Sequence, residues 1–186
     1  MIFVRDDDVL VPSSINSEEK FIEIHKIIAS CSYLMHLPAI LVSEINCFPK
    51  VINFIKEEYK KGKLIPELHG YEHKDYGVLS KEQIREDLNK SFEWFNLCFG
   101  ITPKRWHLPF SSNSEEIKEV SSDFNIKLTD KTFQVYYIWG KHNIIPRIKK
   151  GECFDDKTII LHWWDKLANE RLKELVFTCN LREKSK

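Results

Sequence analysis

Three consecutive aspartates, Asp6-Asp7-Asp8, follow the short apolar run Ile2-Phe3-Val4. Adjacent carboxylates repel unless a cation or an arginine compensates, so the run points to a metal or, taken alone, to a solvated acidic turn. In extended chain, Asp6 and Asp8 face one side and Asp7 the other. Farther along, His69-Gly70-Tyr71-Glu72-His73 sets two imidazoles four residues apart. On a helical turn or tight loop, such a pair can converge on one ion. The same five residues spell HxxEH, the inverted zincin pattern, which needs both His and Glu72 on a regular helix. A strand-like segment and Gly70 precede Tyr71 instead, so a peptidase is the weaker reading. His162, between Thr158-Ile159-Ile160 and Trp163-Trp164, is either a packed core imidazole or a general acid. His25, His36 and His142 have no partner visible in the sequence and are assigned no chemistry.

These residues need elements to position them, and the chain alternates strands with helices. Ile2 to Val4 reads as a strand, and Asn16 with Glu19 as a capped start for a helix carrying Phe21, Ile24 and Ile28. Ala39 to Val42 is a second strand. Pro49 opens a helix with Ile52, Ile55 and Tyr59 on one face, and Leu64 to Leu68 is a third strand. Ser80-x-x-Gln83 is a capping box before the longest helix, whose stripe of Ile84, Leu88, Phe92 and Phe95 closes at Gly100. Arg105 to Pro109 reads as a strand, and Ser112-x-x-Glu115 as the opening of a helix to about Val120. Asn125 to Thr129 is a strand running to Asp130. Phe133 to Trp139 and Asn143 to Ile148 are apolar runs that a hairpin across Gly140 would pair. Thr158 to Leu161 is a buried strand, and a helix with Leu167, Leu172 and Leu175 ends the chain. This alternation predicts a mainly parallel sheet wrapped by helices, either a barrel or an open sheet. In either, Asp6 to Asp8, His69, the Arg105 to Ser111 turn, Asp130 and His162 fall at C-terminal strand ends, where such folds gather active-site groups.

Composition narrows the class. The 186 residues carry 28 basic and 28 acidic side chains, a formal net charge of zero, which disfavours a nucleic-acid or membrane-surface partner held by bulk electrostatics. No apolar run approaches the ~20 residues of a membrane span. The N-terminus MIFVRDDDV lacks an apolar signal core, so the expected location is cytoplasmic. Five cysteines without a CxxC pair argue for reduced thiols rather than a disulfide framework. No repeat or composition shift divides the chain, and one domain over residues 1–186 is expected.

Taken in order, Asp7-Asp8, His69-x-x-x-His73, Leu108-Pro109-Phe110 and Leu161-His162 resemble the motifs of the polysaccharide deacetylases, carbohydrate esterase family 4. The resemblance spans residues 4 to 164. It implies a distorted (β/α)7 barrel, a divalent metal on an Asp-His-His set, and hydrolytic removal of acetyl groups from amino sugars. The metal would sit on Asp8, His69 and His73, most simply zinc, with cobalt, nickel or manganese as alternatives. Asp7 would be the general base, the register Asp6-Asp7 being the alternative, and His162 the general acid, held by Asp130. The substrate would be an N-acetylated carbohydrate, with Tyr71, Trp106, His107, Pro109, Phe110 and Trp163 around it. Two departures stand out. Gly70 replaces the Ser or Thr that usually follows the first histidine. Aligning on Pro109-Phe110-Ser111 puts His107 where the family has the arginine that pairs with its catalytic aspartate. Arg105 lies one strand period upstream and is assigned that partnership. The missing arginine leaves open a degenerate member that binds carbohydrate or metal without turnover.

Overall fold

The computed structural model describes residues 2–9, 18–32, 34–43, 48–129, 135–137, 158–162 and 168–183, with the backbone alone for residues 8, 135–137, 161–162, 168 and 181–183. Seven strands form one sheet: β1 (Ile2–Val9), β2 (Leu34–Leu41), β3 (Glu67–Gly70), β4 (Arg105–Trp106), β5 (Lys127–Leu128), β6 (Val135–Tyr137) and β7 (Thr158–His162). Their spatial order is β5-β4-β3-β2-β1-β7-β6, and every pairing is parallel. The helices are α1 (Glu18–Ala29), α2 (Pro49–Lys60), α3 (Lys81–Phe99), α4 (Glu115–Asp123) and α5 (Ala168–Glu183). Parallel neighbours require crossovers, and four of these helices fall between strands to supply them. The core lies between sheet and helices, where Val4, Leu68 and Trp106 from the strands meet Phe21, Ile55, Leu88 and Leu175.

Local chemistry accounts for the helix boundaries. Ser80 accepts the Gln83 N–H while the Gln83 side chain accepts that of Ser80, and Gly100 ends α3 in the left-handed region at φ 68°. Ser80→Ala should therefore cost about 1 kcal/mol, read from the urea midpoint at unchanged slope. Pro49 stands in the first turn of α2, and Glu18 of α1 accepts the Val51 N–H at 2.8 Å, placing a carboxylate at that N-terminus. The cap of α4 is Ser114, which accepts the Ile117 N–H at 3.2 Å, and not Ser112. Ser112 is drawn away: its hydroxyl accepts the Tyr76 N–H at 3.0 Å and reaches Asp75 at 2.6 Å, tying two loops together.

Several sequence expectations shift. β1 runs through all three aspartates rather than ending before them. β3 starts at Glu67, Leu64 making only an isolated bridge to His36. β4 and β5 keep two residues each. β6 pairs in parallel with β7. Residues 143–148, the other arm of the expected hairpin, lie outside the described residues. No described helix is long and apolar enough to cross a membrane.

Candidate active site

Strand alternation sorts the aspartates. Val4 pairs with His36 and Asp6 with Pro38, so these four share one face of the sheet. That face looks toward the helices: the His36 ring lies 5.6 Å from Phe21 of α1, and Asp6 Oδ2 is 3.8 Å from His36 Nε2. Arg5 and Asp7 take the opposite face, where Glu67 and His69 of β3, Arg105 of β4 and His107 just past it join them. Leu68 and Trp106, paired in register between these, point back into the core.

On that inner face a chain of polar contacts crosses the sheet. Arg5 Nη2 donates to Asp7 Oδ2 at 2.7 Å, and Nε stands 2.6 Å from Oδ1. The second contact is poorly aligned, so Asp7 Oδ1 accepts no hydrogen bond among the described residues. The same guanidinium reaches His107 Nδ1 through Nη1 at 2.8 Å. Arginine can only donate, so Nδ1 carries the lone pair and Nε2 the proton, which it donates to the Glu67 carboxylate. Thr129 Oγ1, 2.7 Å away, adds a second contact to Nδ1, and Arg105 Nη1 closes the row 3.2 Å from Glu67 Oε1.

Burial and charge oppose one another here. Burial acts to raise the Asp7 carboxyl, but Arg5, with His69 and His107, holds it below the ordinary carboxylate range. Burial pushes Glu67 up to about 7 against the pull of Arg105 and Arg5. His107 lies well below the usual imidazole range because it is buried and faces Arg5, so it is neutral.

His69 is buried at the end of β3, and its Nδ1–H donates to the His107 carbonyl at 2.6 Å. That bond leaves the lone pair on Nε2, the form in which a neutral imidazole binds a cation with its other nitrogen anchored. The His73 ring lies 5.5 Å from that of His69 and edge-on to Phe110 at 4.7 Å. The two histidines thus fit a metal site, His69 by its tautomer and His73 by its proximity. No group of three such donors converges among the described residues, and the Asp8 side chain is not among them. Residues 71–74 are bends, so Glu72 stands on no helix and the zincin geometry has no support.

Other expected site residues fall in varied places. Arg105 faces the inner side but pairs with Glu67, while Arg5 takes Asp7. Trp106 is fully buried, edge-on to Tyr76 at 5.0 Å, and is core rather than a stacking face. His107 is buried in the Arg5–Glu67 row and offers no surface to a sugar. Tyr71 turns toward α3, with Lys90 Nζ 5.5 Å from its ring, and Pro109 is buried. Phe110 is exposed beside His73, and it and Ser111 hold positive φ of 53° and 55°, an unfavourable conformation for both. The His162 backbone pairs in register with Asp7. Asp130 and Trp163 lie outside the described residues. Sequence reading missed Arg5, Glu67 and Thr129. Arg5 carried a signal, since it stands one strand period before Asp7 and so shares its face.

Residues 48–129 match the family model for polysaccharide deacetylase. Solved structures with similar folds include a family 4 carbohydrate esterase from Streptomyces lividans in complex with acetate, TM-score 0.72 and 12% identity over 97% of this chain and 87% of that one. The peptidoglycan deacetylase PdaC from Bacillus subtilis aligns with a TM-score of 0.73 at 15% identity, over 97% and 83% of the two chains. A family 4 pseudoenzyme from Bacillus anthracis aligns at 0.70 and 14%, over 98% of this chain and 61% of its own. No curated protein matches at the sequence level. The chain therefore resembles the polysaccharide deacetylases in sequence across its middle, and it shares their α/β barrel-type fold over nearly its whole length.

Proposed function

We propose that this chain is a metal-dependent hydrolase that removes an acetyl or similar acyl group from an N-acylated amino sugar. The observation that carries this reading is the Asp7 carboxylate, ionised on the inner face of β1, fixed by Arg5 and near His69. His69 and His73, with Asp8, would hold a divalent cation, zinc by the chemistry of two neutral imidazoles and a carboxylate. Such a cation supplies Lewis acidity toward the amide carbonyl and the attacking water.

The chain's own residues do the rest. Asp7, with both oxygens beside the Arg5 guanidinium that holds its orientation, takes the water proton. His107 cannot compete for that proton, because Arg5 occupies its lone pair. His162, on the strand beside Asp7, protonates the departing amine, with Asp130 to steady the imidazolium. Phe110, exposed next to His73, gives the substrate an apolar face.

A purified sample should hold one equivalent of divalent metal and release acetate from N-acetylated oligosaccharides. His69→Ala with His73→Ala should lose both; stoichiometric metal retained by that double variant would remove the histidine pair from the site. The second reading, a binder without turnover, is favoured by His107 standing where the family has arginine. Bound metal with no acyl release from chitin or peptidoglycan fragments would decide for it.

A further inference from the structure

Gly70 ends β3 at φ +132°, one residue after His69 and three before His73. A Cβ built on it would lie 2.8 Å from Tyr76 Oη and 3.1 Å and 3.2 Å from two ring carbons. Glycine is required there twice over, by the backbone angle and by the phenol that fills the side-chain space. Tyr76 is fully buried, its ring edge-on to Trp106. Its oxygen accepts the Tyr71 N–H at 2.9 Å, the Glu72 N–H also faces it, and the Asp87 carboxylate of α3 lies close to it. Asp87 is in turn held by Lys74, Nζ to Oδ2 2.5 Å. The Tyr76 N–H is tied to Ser112, which follows the Phe110 turn.

Residues 70–76 are therefore wrapped around one hydroxyl. His73 is exposed, its ring edge-on to Phe110, and the backbone path of the loop sets where that ring stands relative to His69. We infer that Tyr76 is a positioning residue: its hydroxyl, seated where a residue-70 side chain would stand, fixes the 70–73 backbone so that His73 faces His69 for metal capture. This rests on the reading of His69 and His73 as metal ligands. The hydroxyl is suited to a permanent role. Burial beside Asp87 raises its pKa above the ordinary phenol range, so it remains a donor at any physiological pH. It satisfies the Tyr71 N–H, which would otherwise have no acceptor next to the ligands.

Tyr76→Phe keeps the ring, its volume and the Trp106 contact and removes only the hydroxyl. Zinc affinity, by competition with a chromophoric chelator, should fall about 10–100-fold, as for other groups that orient metal ligands. In the metal-free protein the Tyr71 and Glu72 amides should exchange markedly faster than in the wild type. Leu88→Ala, a core truncation on α3, serves as the control: it should lower stability while leaving zinc affinity unchanged. Unchanged zinc affinity and unchanged exchange in folded Tyr76→Phe would overturn the inference, and so would an equal loss of affinity in Leu88→Ala. Should Tyr76→Phe fail to fold, Gly70→Ala, which displaces the phenol, carries the same zinc and exchange measurements. A wild type that binds no zinc, or whose zinc is indifferent to His69→Ala, would instead overturn the metal reading. The amide-exchange result then still decides whether Tyr76 orders the loop.

Discussion

Asp7→Asn should lower the rate of acyl release by about 10²–10⁴-fold while leaving metal bound, at a stability cost of about 3–5 kcal/mol because it leaves the buried Arg5 without its anion. Asparagine matches the shape of aspartate, and its carbonyl can still accept from Arg5 Nη2, but its amide N–H would face Arg5 Nε, donor against donor. What it cannot do is take a proton. Asp8→Asn, by contrast, should lose metal and rate together. The reverse pattern would move the register to Asp6-Asp7, although Asp6 lies on the helix-facing side against His36. Arg5 deepens the test. Arg5→Met leaves the buried Asp7 carboxylate without its cation and His107 Nδ1 without that donor, at a cost of about 3–5 kcal/mol in stability. Arg5→Lys should recover much of the stability and little of the rate. A lysine point charge cannot reach Asp7 and His107 at once as the planar guanidinium does. Rate measured per folded molecule, beside urea midpoints, separates these outcomes. Wild-type turnover in Asp7→Asn would remove it from the chemistry.

What the sequence disclosed about this site depended on how local the signal was. His69 and His73 are four apart, and the aspartates adjacent, so spacing alone drew them out. The capping box of α3 and the first-turn proline of α2 are equally local, and both lie where expected. The guanidinium on Asp7 was sought at the third motif, because the family has it there, and Arg105 was the nearest candidate. Arg105 instead answers Glu67, its neighbour across β3 and β4, while the Asp7 partner comes from the same strand. Trp106 could not be sorted by sequence into stacking face or core. That depended on which side of a two-residue strand it occupies, and the pairing with Leu68 puts it inside. The role of Gly70 was equally hidden, since the group filling its missing side chain comes from Tyr76 after the loop has turned back.

His25 and His36 showed no partner in the sequence because their contacts join α1, β2 and α2, and those contacts predict an acid-sensitive fold. His25 Nε2 lies 3.1 Å from Glu58 Oε2, and His25 Nδ1 lies 3.1 Å from His36 Nδ1. Glu58 is held ionised, chiefly by its bond to Lys61, so His25 Nε2 donates to it and, with both rings neutral, His25 Nδ1 accepts from His36. A proton added to His25 would reverse that bond and force the buried His36 into its Nε2–H tautomer. One added to His36 Nε2 would find Asp6 Oδ2 only at 3.8 Å, beyond hydrogen-bond reach. Burial accordingly lowers both imidazoles, His36 well below the usual range. The unfolded chain, with ordinary imidazoles near 6.5, therefore binds protons that the folded chain refuses, and stability falls as pH drops below that value. The inner row adds little, because burial lowers His107 while it raises Glu67, so their contributions oppose each other over that range. His36, lowered well below its usual range, gives a slope of about 1.4 kcal/mol per pH unit between roughly pH 6 and 5, and His25 adds to it. Urea denaturation of the metal-free protein at half-unit steps from pH 8 to 5 should show a plateau and then this decline. His25→Leu with His36→Leu should flatten it. A wild-type curve that stays level down to pH 5 would mean that the folded protein accepts protons on this pair.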